Sequence, residues 1–467
     1  MVTVVIGLVS AKAWAVLLEP SGLGFMSLLQ SVAGLSTLVA GLGIGVGLTR
    51  AGAGAIDQGD LTRVAALRAA GWVSLSALGL LMALVLVVFR TPVSLWGLGG
   101  ADHAWSLVLV GAAVVLTLTS GVSTGILNAY HRLAALAKLS ILNKLFGTAV
   151  SLLLVWLWRL AGIAPAMVTG AAIGWILAYR LLLREVGRSA VRPTAREIGE
   201  ALATLLRFGV PYTASMLVGT GVQLAMPVLV LHRLGAESVG FYQAAIGVSF
   251  GYLDFLLRAM SQDYFPRVSA AHDQPETLVR LINEQHRVVM LLAIPLVLGT
   301  LALLPYLIPI VYSSRFAPTV SILEWLLVAD LLKFSSWTMA FVVLARCGSL
   351  TFFFTELTGG LMTLVASWLG MRWFGLAGLG IASLLTYGVY YFIVWCIVRR
   401  EIRLRLTVGN KRLLLGALLV SGVFHVLSAS GLPNLAMAVL VVVAALAGLG
   451  GGHTVWREMR QEGPPTR

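Results

Sequence analysis

Residues 104–127 read AWSLVLVGAAVVLTLTSGVSTGIL, 24 consecutive positions without a charged side chain. At 1.5 Å rise per residue such a run makes a helix about 36 Å long, more than the roughly 30 Å of hydrocarbon in a bilayer. The apolar residues are continuous and show no alternation of period two. A helix is therefore expected and a barrel strand is not, because in lipid a lone segment must satisfy its own backbone hydrogen bonds. Inside the run, Gly121-Val122-Ser123-Thr124-Gly125 matches the spacing of a hydrolase nucleophile elbow. That motif needs a strand-to-helix turn. Within a membrane helix, small residues at this spacing let a neighbouring helix approach closely.

The rest of the chain repeats the pattern. Of 467 residues, 59% are hydrophobic and 11% charged, against about 45–50% and about 25% in soluble domains. That composition excludes an ordinary soluble enzyme, a disordered chain and a nucleic-acid-binding module. Apolar stretches long enough to span occur at about 2–18, 25–48, 66–89, 104–127, 139–158, 162–183, 210–231, 238–262, 288–312, 320–345, 351–371, 375–398, 412–430 and 432–453. The fold class read from them is an all-α polytopic membrane protein of about 14 transmembrane helices. The first stretch begins at Met1 without a basic segment before it, so no cleavable signal peptide is read.

The formal net charge is +14, from 33 Lys+Arg and 19 Asp+Glu. Loops after even-numbered helices hold 24 of the basic residues; loops after odd-numbered helices hold Arg90, Arg159, Arg233, Arg315 and Arg372. Basic residues accumulate on the cytoplasmic side of membrane proteins, so both termini are expected in the cytoplasm. Four cations are left inside predicted spans: Lys12, Lys144, Arg258 and Lys333. The two cysteines, Cys347 and Cys396, make neither a disulfide framework nor a metal-ligand spacing. No G-x-x-x-x-G-K-[ST] is present, so the chain carries no ATP loop of that kind. No metal and no cofactor is read from the sequence.

The chain also repeats itself. Glu19-Pro20-Ser21-Gly22-Leu23-Gly24-Phe25 aligns, 216 residues later, with Gly235-Ala236-Glu237-Ser238-Val239-Gly240-Phe241. The same offset pairs Ala55, Asp57, Gln58 and Asp60 with Ala271, Asp273, Gln274 and Glu276. Each half then has six helices in one order, which divides the chain into an N-terminal lobe at 1–200, a C-terminal lobe at 201–405 and an extra helix pair with its tail at 406–467. An even number of helices per half makes the repeat parallel, as in transporters whose halves face a common cavity.

Ionisable residues inside spans are the best guide to a site, because each costs a few kcal/mol at mid-bilayer unless it faces protein or water. They are Lys12 in helix 1, Lys144 in helix 5, Asp254 and Arg258 in helix 8, Glu324, Asp330 and Lys333 in helix 10, Glu356 in helix 11 and His425 in helix 13. Asp254 with Arg258, and Asp330 with Lys333, have the spacing to pair on one helix face. Such pairs either neutralise one another or line a cavity. Lys144, near a helix end, either snorkels to the interface or joins them. Lys12 has no acidic neighbour within a turn and, with Arg258, is expected in a cationic cavity wall. Arg and Lys in an apolar surround suit a diphosphate-linked lipid. The run Gly41, Gly43, Gly45, Gly47 reads as a close-packing or bending face, and Pro211, Pro227, Pro295, Pro305 and Pro309 as bends, static or moving.

Several blocks carry a family resemblance. Leu18-Glu19-Pro20-Ser21-Gly22-Leu23-Gly24, then Gln30 and Gly47-Leu48-Thr49-Arg50, resembles the opening of bacterial Wzx-type polysaccharide flippases. Ser238-Val239-Gly240-Phe241-Tyr242-Gln243, Tyr252-Leu253-Asp254 and Phe265-Pro266-Arg267-Val268-Ser269 are similar to theirs. So are Tyr312-Ser313-Ser314-Arg315-Phe316 and Trp325-Leu326-Leu327-Val328-Ala329-Asp330-Leu331-Leu332-Lys333, the latter nearest the enterobacterial-common-antigen and O-antigen branch. The resemblance covers about residues 1–405. It implies membership of the multidrug/oligosaccharidyl-lipid/polysaccharide (MOP) flippase superfamily, with undecaprenyl-diphosphate-linked oligosaccharide carried across the bacterial inner membrane by alternating access. It further implies Lys12, Arg50, Arg258 and Lys333 as diphosphate or cavity residues, and Asp254, Asp330 and Glu356 as their partners or proton-linked groups. A polysaccharide polymerase and a chain-length regulator are the protein partners it implies, and no nucleic acid.

Two features depart from the resemblance. Glu19 stands where relatives usually have Gly, and relatives have about a dozen more residues before Lys12, so the natural start is expected upstream. The competing readings are a drug/cation antiporter, a peptidoglycan-precursor (lipid II) flippase of the same superfamily, and a membrane-embedded glycosyltransferase or polymerase. The last would call for a large outer loop, and the longest here is about 14 residues, around 90–103.

Overall fold

Glu19-Pro20 interrupts the first apolar run because proline lacks the N–H that would continue the helix ladder. The computed structural model describes residues 2–188 and 191–461. In it, α1 (Val2–Gly41) is helical on both sides of Glu19, whose φ of 59° and ψ of 178° are non-helical. The first expected span is the first arm of α1, while the second, 25–48, is the second arm plus the start of the next helix. Leu42 and Gly43, at φ 43° and 64°, turn the chain into α2 (Ile44–Asp57).

Contacts divide the chain into residues 1–240 and 241–467. The first unit continues with α3 (Leu61–Val88), α4 (Arg90–Gly97), α5 (Ala104–Ala129), α6 (Leu133–Trp158), α7 (Ile163–Glu185) and α8 (Ala195–Leu234). Helix α5 is its centre, packed on α1, α2, α3 and α7. Small residues make that possible. A Cβ on Gly125 would lie 2.9 Å from the Gly45 carbonyl, and one on Gly111 3.1 Å from Ala83 Cα. The Gly121–Gly125 motif therefore serves close packing within a helix, and Gly45 does the same from the glycine run of α2. Helix α8 opens with a capping box, Thr194 with Glu197. It carries Pro211 and Pro227 and bends by 44° between Ala195–Leu217 and Gly219–Leu234.

The second unit takes up α9 (Ala236–Ala259), which begins just before the division, then α10 (Phe265–Ala270), α11 (Pro275–Val311), α12 (Thr319–Val342), α13 (Ser349–Phe374), α14 (Ala377–Ile402), α15 (Val408–Ala429) and α16 (Pro433–Gln461). Helix α12 is central here, packed on α11, α14 and α15. Gly380 lets α14 close on it, since a Cβ there would run into the Ile322 carbonyl. Asp330 and Lys333 on α12 are interior for that reason.

The apolar stretches are largely helical, but 25–48 is divided between α1 and α2 by the turn at Leu42-Gly43 and 238–262 runs past the end of α9; no strand occurs among the described residues. Among them, nine helices are long and apolar enough to cross a membrane, or ten with the bent α8 as one span. That count takes Leu133–Glu185 as a single run, although α6 and α7 are separate helices. Large apolar side chains such as Leu80 and Leu84 on α3, Trp156 on α6 and Phe392 on α14 face outward. A surface of that kind needs hydrocarbon around it rather than water.

Candidate functional site

In the second unit, polar side chains gather around Lys333 on α12, which is only 9% exposed. Its ammonium lies over three rings, 5.2 Å from the centroid of Phe250 and 5.0 Å from those of Trp337 and Tyr387. Aromatic faces are negative and hold a cation most strongly where water is excluded. Asp330 and Glu356 lie close enough to interact with this charge. Glu356 on α13 accepts a 2.5 Å hydrogen bond from the Tyr390 hydroxyl of α14. Asp330, fully buried, accepts at Oδ2 from the Ser249 hydroxyl at 2.8 Å. Asp330 and Lys333, one turn apart, thus interact with each other and each also holds further groups. On α15, His425 has its ring centroid 4.2 Å from that of Trp325, tilted by 37°, and its Nδ1 is 2.8 Å from the Ser421 carbonyl, a packed histidine. The side chains of Asp254 and Arg258 lie outside the described residues.

In the first unit the cations stand apart. Arg50 is exposed and its guanidinium lies 4.7 Å from the centroid of Phe208, which in turn stacks on Tyr212. Lys12 is half-buried on α1. Lys144 is exposed on α6, and its ammonium lies 3.3 Å from where a Cβ on Gly7 would be.

The first unit also holds a cavity of about 330 Å³ between the arms of α1, α5, α6 and α7. Ala33, Ala113, Ala166, Gly170 and Ala171 leave its walls thin, and Trp14, Gln30, Thr37, Thr117, Asn143 and Ser151 face it. No charged side chain lines it. Thr117 and Ser151 return their hydroxyls to helix carbonyls. Among the described residues the amides of Gln30 and Asn143 have no protein hydrogen-bond partner. A neutral wall with free amides and an indole suits a neutral polyhydroxylated ligand better than an ion.

A profile of the family described as polysaccharide biosynthesis protein matches residues 14–321. The chain belongs to that family. The Lipid III flippase of Escherichia coli (strain K12) is 24% identical to it over 407 residues, covering 83% of this chain and 94% of that protein. The Lipid III flippase of Shigella flexneri matches to the same extent. Among solved structures, the inward-facing conformation of a multidrug resistance MATE family transporter of the MOP superfamily superposes with a TM-score of 0.70 at 17% identity, over 88% of this chain and 96% of that one. Lipid II flippase MurJ in its inward closed conformation gives a TM-score of 0.70 at 12% identity, over 98% and 97%. These two likenesses show that the chain shares the fold of those proteins.

For this member of the polysaccharide biosynthesis family, three of the residues singled out by sequence fall in one neighbourhood: Lys333, Asp330 and Glu356. Lys12 and Arg50 belong to the other unit. The cage of Phe250, Trp337 and Tyr387 was not foreseen, nor was Tyr390, nor the pair of amides in the first unit. A signal for part of it was present. Tyr387-Gly388-Val389-Tyr390-Tyr391 puts three hydroxyls in one apolar span, and buried tyrosines usually have a polar partner. Gln30 and Asn143 carried no such mark, because single amides in membrane helices are common packing groups.

Proposed function

We propose that this protein is a flippase that moves undecaprenyl-diphosphate-linked oligosaccharide from the cytoplasmic to the periplasmic leaflet of the bacterial inner membrane by alternating access. The reading rests above all on the match along 94% of the Lipid III flippase's length. In this reading the chain crosses the membrane fourteen times with both termini in the cytoplasm. Lobes at 1–200 and 201–405 rock about the cargo, and the pair in 406–467 flanks them. No bond is made or broken, so the protein works as a carrier rather than an enzyme.

The physical task is to take a diphosphate and several sugars through a region where each unpaired charge costs a few kcal/mol. Lys12, Arg50, Arg258 and Lys333 would neutralise the diphosphate, with Asp254, Asp330 and Glu356 balancing them when the cargo is absent. Lys333 fits the role because its cage puts fixed aromatic faces around the ammonium in place of water. The sugars need hydrogen bonds and an apolar ring face, which Gln30, Asn143 and Trp14 offer in the uncharged cavity of the first unit. That lining also speaks against drug-cation antiport there, which would call for a carboxylate. A polymerase and a chain-length regulator would take up the product.

The test uses the full chain reconstituted in vesicles containing a fluorescent undecaprenyl-diphosphate-linked glycan. Protein-dependent transfer of label between leaflets is expected. Transfer no faster than in protein-free vesicles, from a folded preparation, would overturn the reading.

A further inference from the structure

The basic residues at 399–411 count in the sequence as topology signals, but the structure brings four of them around one pocket. Arg399, Arg403, Arg405 and Lys411 surround a cavity of about 510 Å³ at the end of α14, with Trp395 in the wall. The backbone there is well held. Arg403, at φ 52°, turns the chain out of α14. Leu404 and Leu406 alternate inward and are buried, so Arg403 and Arg405 share the other side. Asn283 of α11 donates to the Arg405 carbonyl at 3.1 Å and accepts from Thr407 N–H at 2.8 Å.

Positive charge converges on this pocket without compensation. No carboxylate lines it, and among the described residues none of the four cations is in an ion pair. Glu401 is one residue away in sequence from the α14 terminus, but its charge acts on Cys347 instead. Lys411 sits in the first turn of α15, where the helix dipole is itself positive and repels it. Arg399 is held face-on to Trp395 at 4.8 Å, in the manner of an interfacial tryptophan. An anion bound here would relieve all of these contacts together.

The first unit also holds a basic pocket. Arg68, Arg188 and Arg192 surround a cavity of about 840 Å³ beyond the end of α7, with Trp175 and Tyr179 in its wall. Tyr179 and Trp395 are 216 residues apart, although the cations around them are not related by that offset.

We propose that the pocket at the end of α14 holds the phosphate-bearing head of an acidic membrane lipid. Arginine forks match phosphate oxygens two at a time, and basic pockets at the ends of membrane helices suit acidic headgroups. The position, where α14 leaves the hydrocarbon, allows the acyl chains to remain in the bilayer. The site goes beyond the flipping reaction and stands whether or not the cargo assignment does.

Native mass spectrometry of the full chain in detergent would measure binding of phosphatidylglycerol, phosphatidylcholine, undecaprenyl diphosphate and inorganic phosphate. Phosphatidylglycerol is expected to bind at least about tenfold tighter than phosphatidylcholine, and each of R399Q, R403Q, R405Q and K411Q to weaken it about fivefold. If undecaprenyl diphosphate binds more tightly still and is weakened by the same variants, the carrier's own diphosphate is the preferred head. Equal binding of the two phospholipids would overturn the proposal. So would binding of inorganic phosphate alone, or unchanged phosphatidylglycerol binding in variants that unfold at the unaltered temperature. If R403Q or R405Q does not fold, R399Q and K411Q, both at exposed side chains, make the same comparison.

Discussion

Gly24 and Gly240, related by the 216-residue repeat, lie against one another's backbone. A Cβ on Gly24 would sit 2.9 Å from Gly240 N, and one on Gly240 would run into the Pro20 carbonyl. Two helices approach so closely only where neither carries a side chain. Gly240→Ala is therefore expected to destabilise by about 1–3 kcal/mol, the usual cost of overpacking. Thermal unfolding in detergent would show it. Gly54→Ala, where a Cβ meets nothing within 4 Å, should unfold no earlier than the unaltered protein.

Lys333 and Glu356 should prove coupled. Removing one member of a buried charge set costs about 3–5 kcal/mol, because the partner is left unbalanced, whereas removing both costs much less. Lys333→Met alone should lower the unfolding temperature more than Lys333→Met combined with Glu356→Gln. Strictly additive effects would show that the two charges do not sense each other.

The amides of the first-unit cavity make no protein hydrogen bonds among the described residues, so replacing them should barely affect folding. Gln30→Leu and Asn143→Leu are expected to leave stability within about 1 kcal/mol. Flipping of a lipid-linked glycan should nevertheless slow several-fold, and flipping of bare undecaprenyl diphosphate should not. The rate ratio of the two lipids measures this directly, and an unchanged ratio would remove the sugars from this cavity.

Lys12 and Arg258 test the cationic wall. Alanine at either position should slow transfer of the labelled lipid about tenfold or more with normal expression, given that charge-assisted bonds to phosphate are worth about 1.5–3 kcal/mol. If both variants flip at the unaltered rate, the cations do not hold the diphosphate.

Much of the fold was legible in the sequence. The chain is helical almost throughout the apolar stretches, because a run such as 104–127 satisfies its backbone locally and needs no distant partner, though the stretch 25–48 is broken at Leu42-Gly43. The break at Glu19-Pro20 was visible for the same local reason. The site was legible only as an inventory. Lys333, Asp330 and Glu356 stood out because charge in an apolar run is rare, and they do share one neighbourhood. The spacing of Asp330 and Lys333 also pointed to a pair, and their charges do act on one another, but Asp330 in addition takes the Ser249 hydroxyl of another helix and Lys333 lies over aromatic faces. Spacing along one helix says which residues share its face, not which neighbour arrives there first.

The sequence by itself determined that this protein is helical, membrane-spanning, internally repeated and sorted by charge. Each of these is a property of runs, periods and counts along the chain. Only the tertiary structure decided that Lys333 lies in a cage built from three helices, that Gln30 and Asn143 face one uncharged cavity, and that Arg399, Arg403, Arg405 and Lys411 converge on a pocket. The reason is physical. Burial and pairing depend on which helix faces meet, and those contacts join residues tens to hundreds of positions apart, where no local pattern reaches.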